Sequence, residues 1–67
     1  MRLKDFFEKT EKLAKDFPEQ MAIRNIKKRI LNGYFTPEES WPSEWHKRAI
    51  QEAKELFDNR GIEYPEG

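Results

Sequence analysis

His46 is the only conventional general base in this chain of 67 residues. Catalysis would need a second acid, base or nucleophile within reach, and the sequence offers Ser40, Ser43 and Glu39 only as neighbours along the chain. No nucleophile elbow, phosphate loop or calcium loop surrounds them. We therefore expect His46 to be a boundary histidine with a hydrogen-bond partner, and we expect the protein not to be an enzyme.

Metal and cofactor chemistry has little support in the composition. The chain has no cysteine and one histidine, which is too few for the usual zinc ligand sets. We expect neither a metal nor a cofactor. Without a disulfide or a structural metal, a chain of this size must gain its stability from well-packed helices or from binding a partner.

Charge is balanced overall and uneven along the chain. The 13 Lys and Arg match the 13 Asp and Glu, but residues 18–33 carry four cations against one acid, or +3, and residues 34–67 carry four against eight, or −4. The basic segment could contact phosphates, which makes nucleic-acid binding an alternative function. So few cations among many acids disfavour that alternative. The residues it would use are Arg24, Lys27, Lys28 and Arg29.

A row on the same segment has the spacing of interface anchors. Met21, Arg24, Lys28 and Leu31 follow i, i+3, i+7 and i+10, so a helix would present them together. They lie off the apolar face formed by the isoleucines of this segment. The row predicts contact with a partner protein. The structural alternative is that the following loop covers Met21 and Leu31.

That loop is rich in aromatic and proline residues. Trp45 continues the apolar face of the next helix and is predicted to be core. Tyr34 and Trp41 lie nearer the edge, and we expect them to join the partner surface because such residues often dominate binding energy. A lid over the core is the other interpretation.

The elements that position these side chains are predicted to be helical. Apolar residues repeat at helical spacing from Leu3 to Phe17, and Pro18 then ends one helix and opens the next with almost no loop. Gly33 is expected to end the second helix in the left-handed conformation. The predicted helices cover residues 3–17 and 18–32.

A capping box, Thr36 to Glu39, predicts a short capped helical turn near residues 37–41. A third apolar face predicts a helix over residues 43–60. Gly61 is placed for a left-handed stop, with Ile62 touching Phe57.

The sequence therefore predicts an all-α, three-helix single domain over residues 1–62 and a flexible acidic tail over residues 63–67. The predicted function is a small non-catalytic protein-binding module: an inhibitor, an adaptor or a designed binder, as monomer or homodimer. A designed stand-alone scaffold without a natural partner is the remaining alternative. Charges near the start argue against a secretory signal, and no apolar run could span a membrane, so we expect a cytoplasmic or recombinant protein.

Overall fold

Three α-helices and one 3₁₀ turn make up the fold in the computed structural model, which describes residues 1–65. Helix α1 is Leu3–Lys12, α2 is Phe17–Leu31, the 3₁₀ turn is Glu38–Ser40 and α3 is Ser43–Arg60. Each helix packs against the other two, and no strand occurs in the described part of the chain. The predicted all-α three-helix fold is confirmed, as are the bounds of the third helix.

The first helix ends five residues earlier than predicted, at Lys12 instead of Phe17. The Oδ1 atom of Asp16 accepts a hydrogen bond from the Glu19 amide at 2.9 Å, and this cap starts α2 at Phe17. The predicted corner without a loop is therefore wrong. Residues 13–16 form the connection, and Phe17 belongs to the first turn of α2, where its side chain is 68% exposed.

The second helix does not end as predicted either. Gly33 lacks the left-handed conformation, because Gly61 alone has a positive φ among residues 1–65. The Gly33 amide donates to the Ile30 carbonyl at 3.1 Å, and the Tyr34 amide donates to Leu31 at the same distance. These tight i→i−3 bonds satisfy the last carbonyls of α2 without a left-handed residue.

The turn after α2 forms, but its predicted cap does not. The 3₁₀ turn is preceded by Pro37, and no side chain caps it. The carbonyl of Thr36 instead accepts a hydrogen bond from the indole Nε1 of Trp41 at 2.9 Å. The loop is therefore held by an aromatic side chain that follows it instead of by a capping box.

The core is built from one face of each helix. Phe6, Phe7 and Phe57 are fully buried, with ring centroids 5.6–6.0 Å apart for each pair. Two of these three contacts are edge-on, a favoured geometry for aromatic rings. Trp41 and Ile62 are also buried. The other buried apolar residues are Leu3, Ile23, Ile26, Ile30, Ala49 and Ala53.

The start of α1 is capped by other elements. Arg2 stands at its N-cap position and makes no side-chain cap. The Leu3 amide donates instead to His46 Nδ1 on α3 at 3.2 Å, and the Lys4 amide donates to the Glu38 carboxylate on the 3₁₀ turn. His46 is buried and must carry its proton on Nε2 to accept this bond. The predicted hydrogen-bond partner of His46 is therefore confirmed, whereas its predicted boundary position is wrong, because the side chain is buried.

The chain after α3 folds back onto the core. Ile62 is buried after Gly61, and the Ile62 amide donates to the Phe57 carbonyl at 2.9 Å in the predicted Schellman stop. The Tyr64 ring lies about 6 Å from those of Phe6 and Phe57. At least Tyr64 of the segment predicted as a tail is therefore packed, while residues 66 and 67 lie outside the described residues.

Replacing Gly61 tests the stop of α3. The φ of +68° strains any residue with a Cβ, while no atom lies within 4 Å of the Cβ position, so the cost is confined to the backbone. Gly61→Ala is expected to lower the free energy of unfolding by about 1–2 kcal/mol. Gly61→Asn should lose less, because asparagine tolerates this conformation better. Urea unfolding measures both, and equal losses would contradict a backbone cause.

Replacing His46 tests the hydrogen bond by which α3 caps the start of α1. His46→Phe keeps an aromatic ring beside Trp41 and leaves the Leu3 amide without its acceptor, at a cost of about 1–3 kcal/mol. In His46→Asn the side-chain oxygen can replace Nδ1. Amide hydrogen exchange at Leu3 should therefore be faster in the phenylalanine variant than in the asparagine variant. The opposite order would show that Nδ1 does not hold this amide.

Candidate protein-binding surface

One side of α2 faces solvent from Phe17 to Lys28. Ile23, Ile26 and Ile30 point into the core. Phe17, Met21, Arg24 and Lys28 lie opposite, at i, i+4, i+7 and i+11, and all four are exposed. This spacing keeps side chains on one helix face, so they form a continuous strip. We call these four residues the outer row of α2.

The first half of the outer row is apolar. Phe17 is 68% exposed and Met21 is 39% exposed. Leu13, which is 40% exposed, is the C-cap residue of α1 and opens the short connection that leads to Phe17. Single exposed apolar side chains are ordinary, but three within residues 13–21 of so small a domain indicate a contact surface.

The second half of the outer row is basic, and one of its cations is held in place. Arg24 Nε donates to Glu11 Oε1 of α1 at 2.7 Å, while the arginine side chain remains 58% exposed. An exposed pair of this kind contributes only about 0.2–1 kcal/mol to stability. Its main effect is to orient the guanidinium. Lys28 follows one turn later and is exposed.

The surroundings of the outer row carry net positive charge. Residues 9–31 contain seven cations against three carboxylates, a net of +4, whereas residues 32–67 contain four against eight, a net of −4. Two of the three carboxylates in the basic segment are already engaged, because Glu11 accepts from Arg24 and Asp16 caps α2. The segment of the chain that contains the row is therefore positively charged in a protein of zero net charge.

The surface predicted from sequence is divided by the structure. Met21, Arg24 and Lys28 lie together on the outer row, whereas Leu31 is half-buried and packs against the core. Tyr34 is also half-buried, with its ring centroid 4.3 Å from that of Trp41.

The expectation that Trp41 is a contact residue needs correction. Its side chain is only 6% exposed, its indole donates to Thr36, and its ring lies 5.2 Å from His46. The short loop folds back so that this tryptophan covers the end of the core, which removes it from the candidate surface. Trp45, predicted as core, is half-buried and packs against the core edge.

Leu13 and Phe17 were missed because both fit the apolar period of the first helix. The signal that identifies them is Asp16-Phe17-Pro18-Glu19, in which a cap residue precedes a proline and a glutamate follows three positions later. Once Asp16 is recognised as a cap, Phe17 falls at the first position of α2. Phe17 and Met21 are then four residues apart in the same helix, so their side chains lie on the same face.

The cations of the alternative nucleic-acid site do not share one face. Arg24 and Lys28 lie on the outer row, whereas Lys27 is half-buried and Arg29 is exposed. At about 100° per residue, Lys27 and Arg29 are roughly 160° apart around the helix. Such a spread is a poor match to a phosphate backbone.

A metal centre and a membrane span lack geometric support in residues 1–65. No group of three metal-ligating side chains occurs there, and no helix in that range is long and apolar enough to cross a membrane. The Nδ1 atom of His46, the one general base considered above, already accepts the Leu3 amide.

No known protein-family model matches the chain, and no curated protein or solved structure is significantly similar to it. Function must therefore be inferred from the chain's own residues. The outer row of α2, with Leu13 beside it, is the surface from which we infer it.

Serine substitutions test whether the apolar half of the row is outside the core. The double variant Phe17→Ser with Met21→Ser should change the free energy of unfolding by less than about 1 kcal/mol, because both side chains are exposed. Ile23→Ala, on the buried face of the same helix, should cost about 2–5 kcal/mol. Urea unfolding compares the two. A loss of several kcal/mol in the serine variant would mean that these residues belong to the core.

Proposed function

We propose that this protein is a non-catalytic protein-binding module that docks a partner on the outer row of α2. The observation that carries the proposal is the exposure of Phe17 and Met21 in one line, next to Leu13. Apolar side chains one turn apart are the usual anchors when a helix face meets a partner. An inhibitor, an adaptor and a designed binder would all use such a face.

The energetics favour a modest but specific interaction. Covering Phe17, Met21 and Leu13 contributes on the order of 5 kcal/mol at about 25 cal/mol per Å² of apolar surface. Association costs offset part of this. We therefore expect affinities no tighter than micromolar, which corresponds to about −8 kcal/mol.

The fold reduces the cost of binding by holding the row in place. Ile23, Ile26 and Ile30 fix the opposite face of α2 in the core, and Glu11 orients Arg24. A partner therefore meets side chains on a preformed helix and does not have to order the backbone.

Selection from a random peptide display library tests the proposal, with the folded domain immobilised as bait. Enriched peptides should bind the unmodified domain and lose at least about tenfold in affinity, or 1.4 kcal/mol, against Phe17→Ser with Met21→Ser. Phe35→Ser is the matched control, since Phe35 is fully exposed but lies beyond the other end of α2.

Two results would contradict the proposal. One is that no peptide is enriched, which would favour a stand-alone scaffold. The other is that enriched peptides bind the double serine variant as well as the unmodified domain, which would place the contact elsewhere.

A further inference from the structure

The outer row is apolar at its Phe17 end and basic at its Lys28 end, and this limits what can lie on it. Resting on the function proposed above, we infer that the partner contributes an acidic amphipathic segment. Its bulky apolar side chains cover Phe17 and Met21, and its carboxylates meet Arg24 and Lys28. The ligand class is therefore a peptide segment with apolar anchors at one end and acids at the other.

The dimensions of the row set the length of that segment. From Phe17 to Lys28 the helix rises about 16 Å at 1.5 Å per residue. A helical partner spans this distance with about 11 residues, and an extended one needs about five. The apolar part, Phe17 to Met21, and the basic part, Arg24 to Lys28, each span about 6 Å, so both parts of the segment are short.

Charge complementarity favours carboxylates at the basic end. Residues 9–31 have a net charge of +4, and Glu11 and Asp16 are already engaged. A guanidinium has five N–H donors, and Arg24 uses its Nε donor for Glu11. Glu11 thus orients Arg24 through Nε. The N–H groups on the two Nη atoms can then bind a partner carboxylate.

A second copy of this chain is a poorer occupant. In a two-fold dimer with parallel rows, cations would face cations and oppose association. With antiparallel rows, the basic half of each copy would face the apolar half of the other and find no counter-charge there. The row is also a narrow strip, whereas a stable dimer buries about 800 Å² per partner. The acidic half of a second copy could still meet the row, and the oligomeric state of the domain tests this.

An anionic membrane surface is also disfavoured. Binding of that kind draws on an excess of cations near the lipid, but the whole chain has a net charge of zero. The −4 carried by residues 32–67 would be repelled by the same lipids. A protein segment needs complementary charge only along the row.

The test uses peptides from the display selection that depend on Phe17 and Met21. They should contain two or more acids beside their apolar anchors. Replacing those acids by Gln or Asn should weaken binding at least about tenfold, as should the protein variant Arg24→Gln with Lys28→Gln. Lys47→Gln with Arg48→Gln is the matched control, since it removes two exposed cations from α3 and should leave affinity unchanged.

The outcomes separate this inference from the function on which it rests. Peptides that depend on Phe17 and Met21 but are indifferent to Arg24 and Lys28 would overturn the inference alone. The absence of such peptides would overturn the proposed function as well. Binding to phosphatidylserine vesicles that is lost in the Phe17 and Met21 variant would assign the row to lipid, and a dimer that the same variant dissociates would assign it to a second copy.

Discussion

The hydrogen bond from the Glu19 amide to Asp16 decides where α2 begins, and the binding surface depends on that start. If α1 continued to Phe17, the phenylalanine would follow the apolar face of that helix into the core. Because Asp16 caps α2, Phe17 takes the first helical position and turns outward, in line with Met21. Phe17 fits the apolar spacing of α1, but the Asp16 cap places it on the exposed face of α2.

The small core explains why the aromatic loop is structural and the helix face is free. Three short helices enclose the rings of Phe6, Phe7 and Phe57, and the end of this core beside His46 is covered by Trp41. His46 and Glu38 in turn supply the acceptors that the first turn of α1 lacks. Apart from the fully exposed Phe35, the loop between α2 and α3 thus completes the domain. On α2, the exposed apolar side chains are Phe17 and Met21.

The predictable features of this chain are those with local causes. The bounds of α3 follow from the spacing of its apolar residues. Its stop follows from Gly61, which adopts a positive φ without a steric penalty. Both signals lie within or next to the helix itself. The end of α1 was predicted wrongly because two local signals overlap between residues 13 and 17. The apolar spacing predicts that α1 continues, whereas the Asp16 cap starts α2, and the structure follows the cap. The cap of α1 could not be foreseen, because its acceptors Glu38 and His46 lie 34 and 43 positions along the chain from the amides that they bind.

Binding on the outer row would be coupled to folding of the whole domain. A segment of 15 residues such as α2 is marginal as an isolated helix, so the row exists only while α1 and α3 hold Ile23, Ile26 and Ile30. A partner that binds only the folded form stabilises it by RT ln(1 + [L]/Kd), which is about 2.7 kcal/mol at a hundredfold excess over Kd. For a domain near the lower size limit this is a large share of its total stability. A partner that binds the exposed apolar side chains of α2 would therefore also add substantially to the stability of the folded domain.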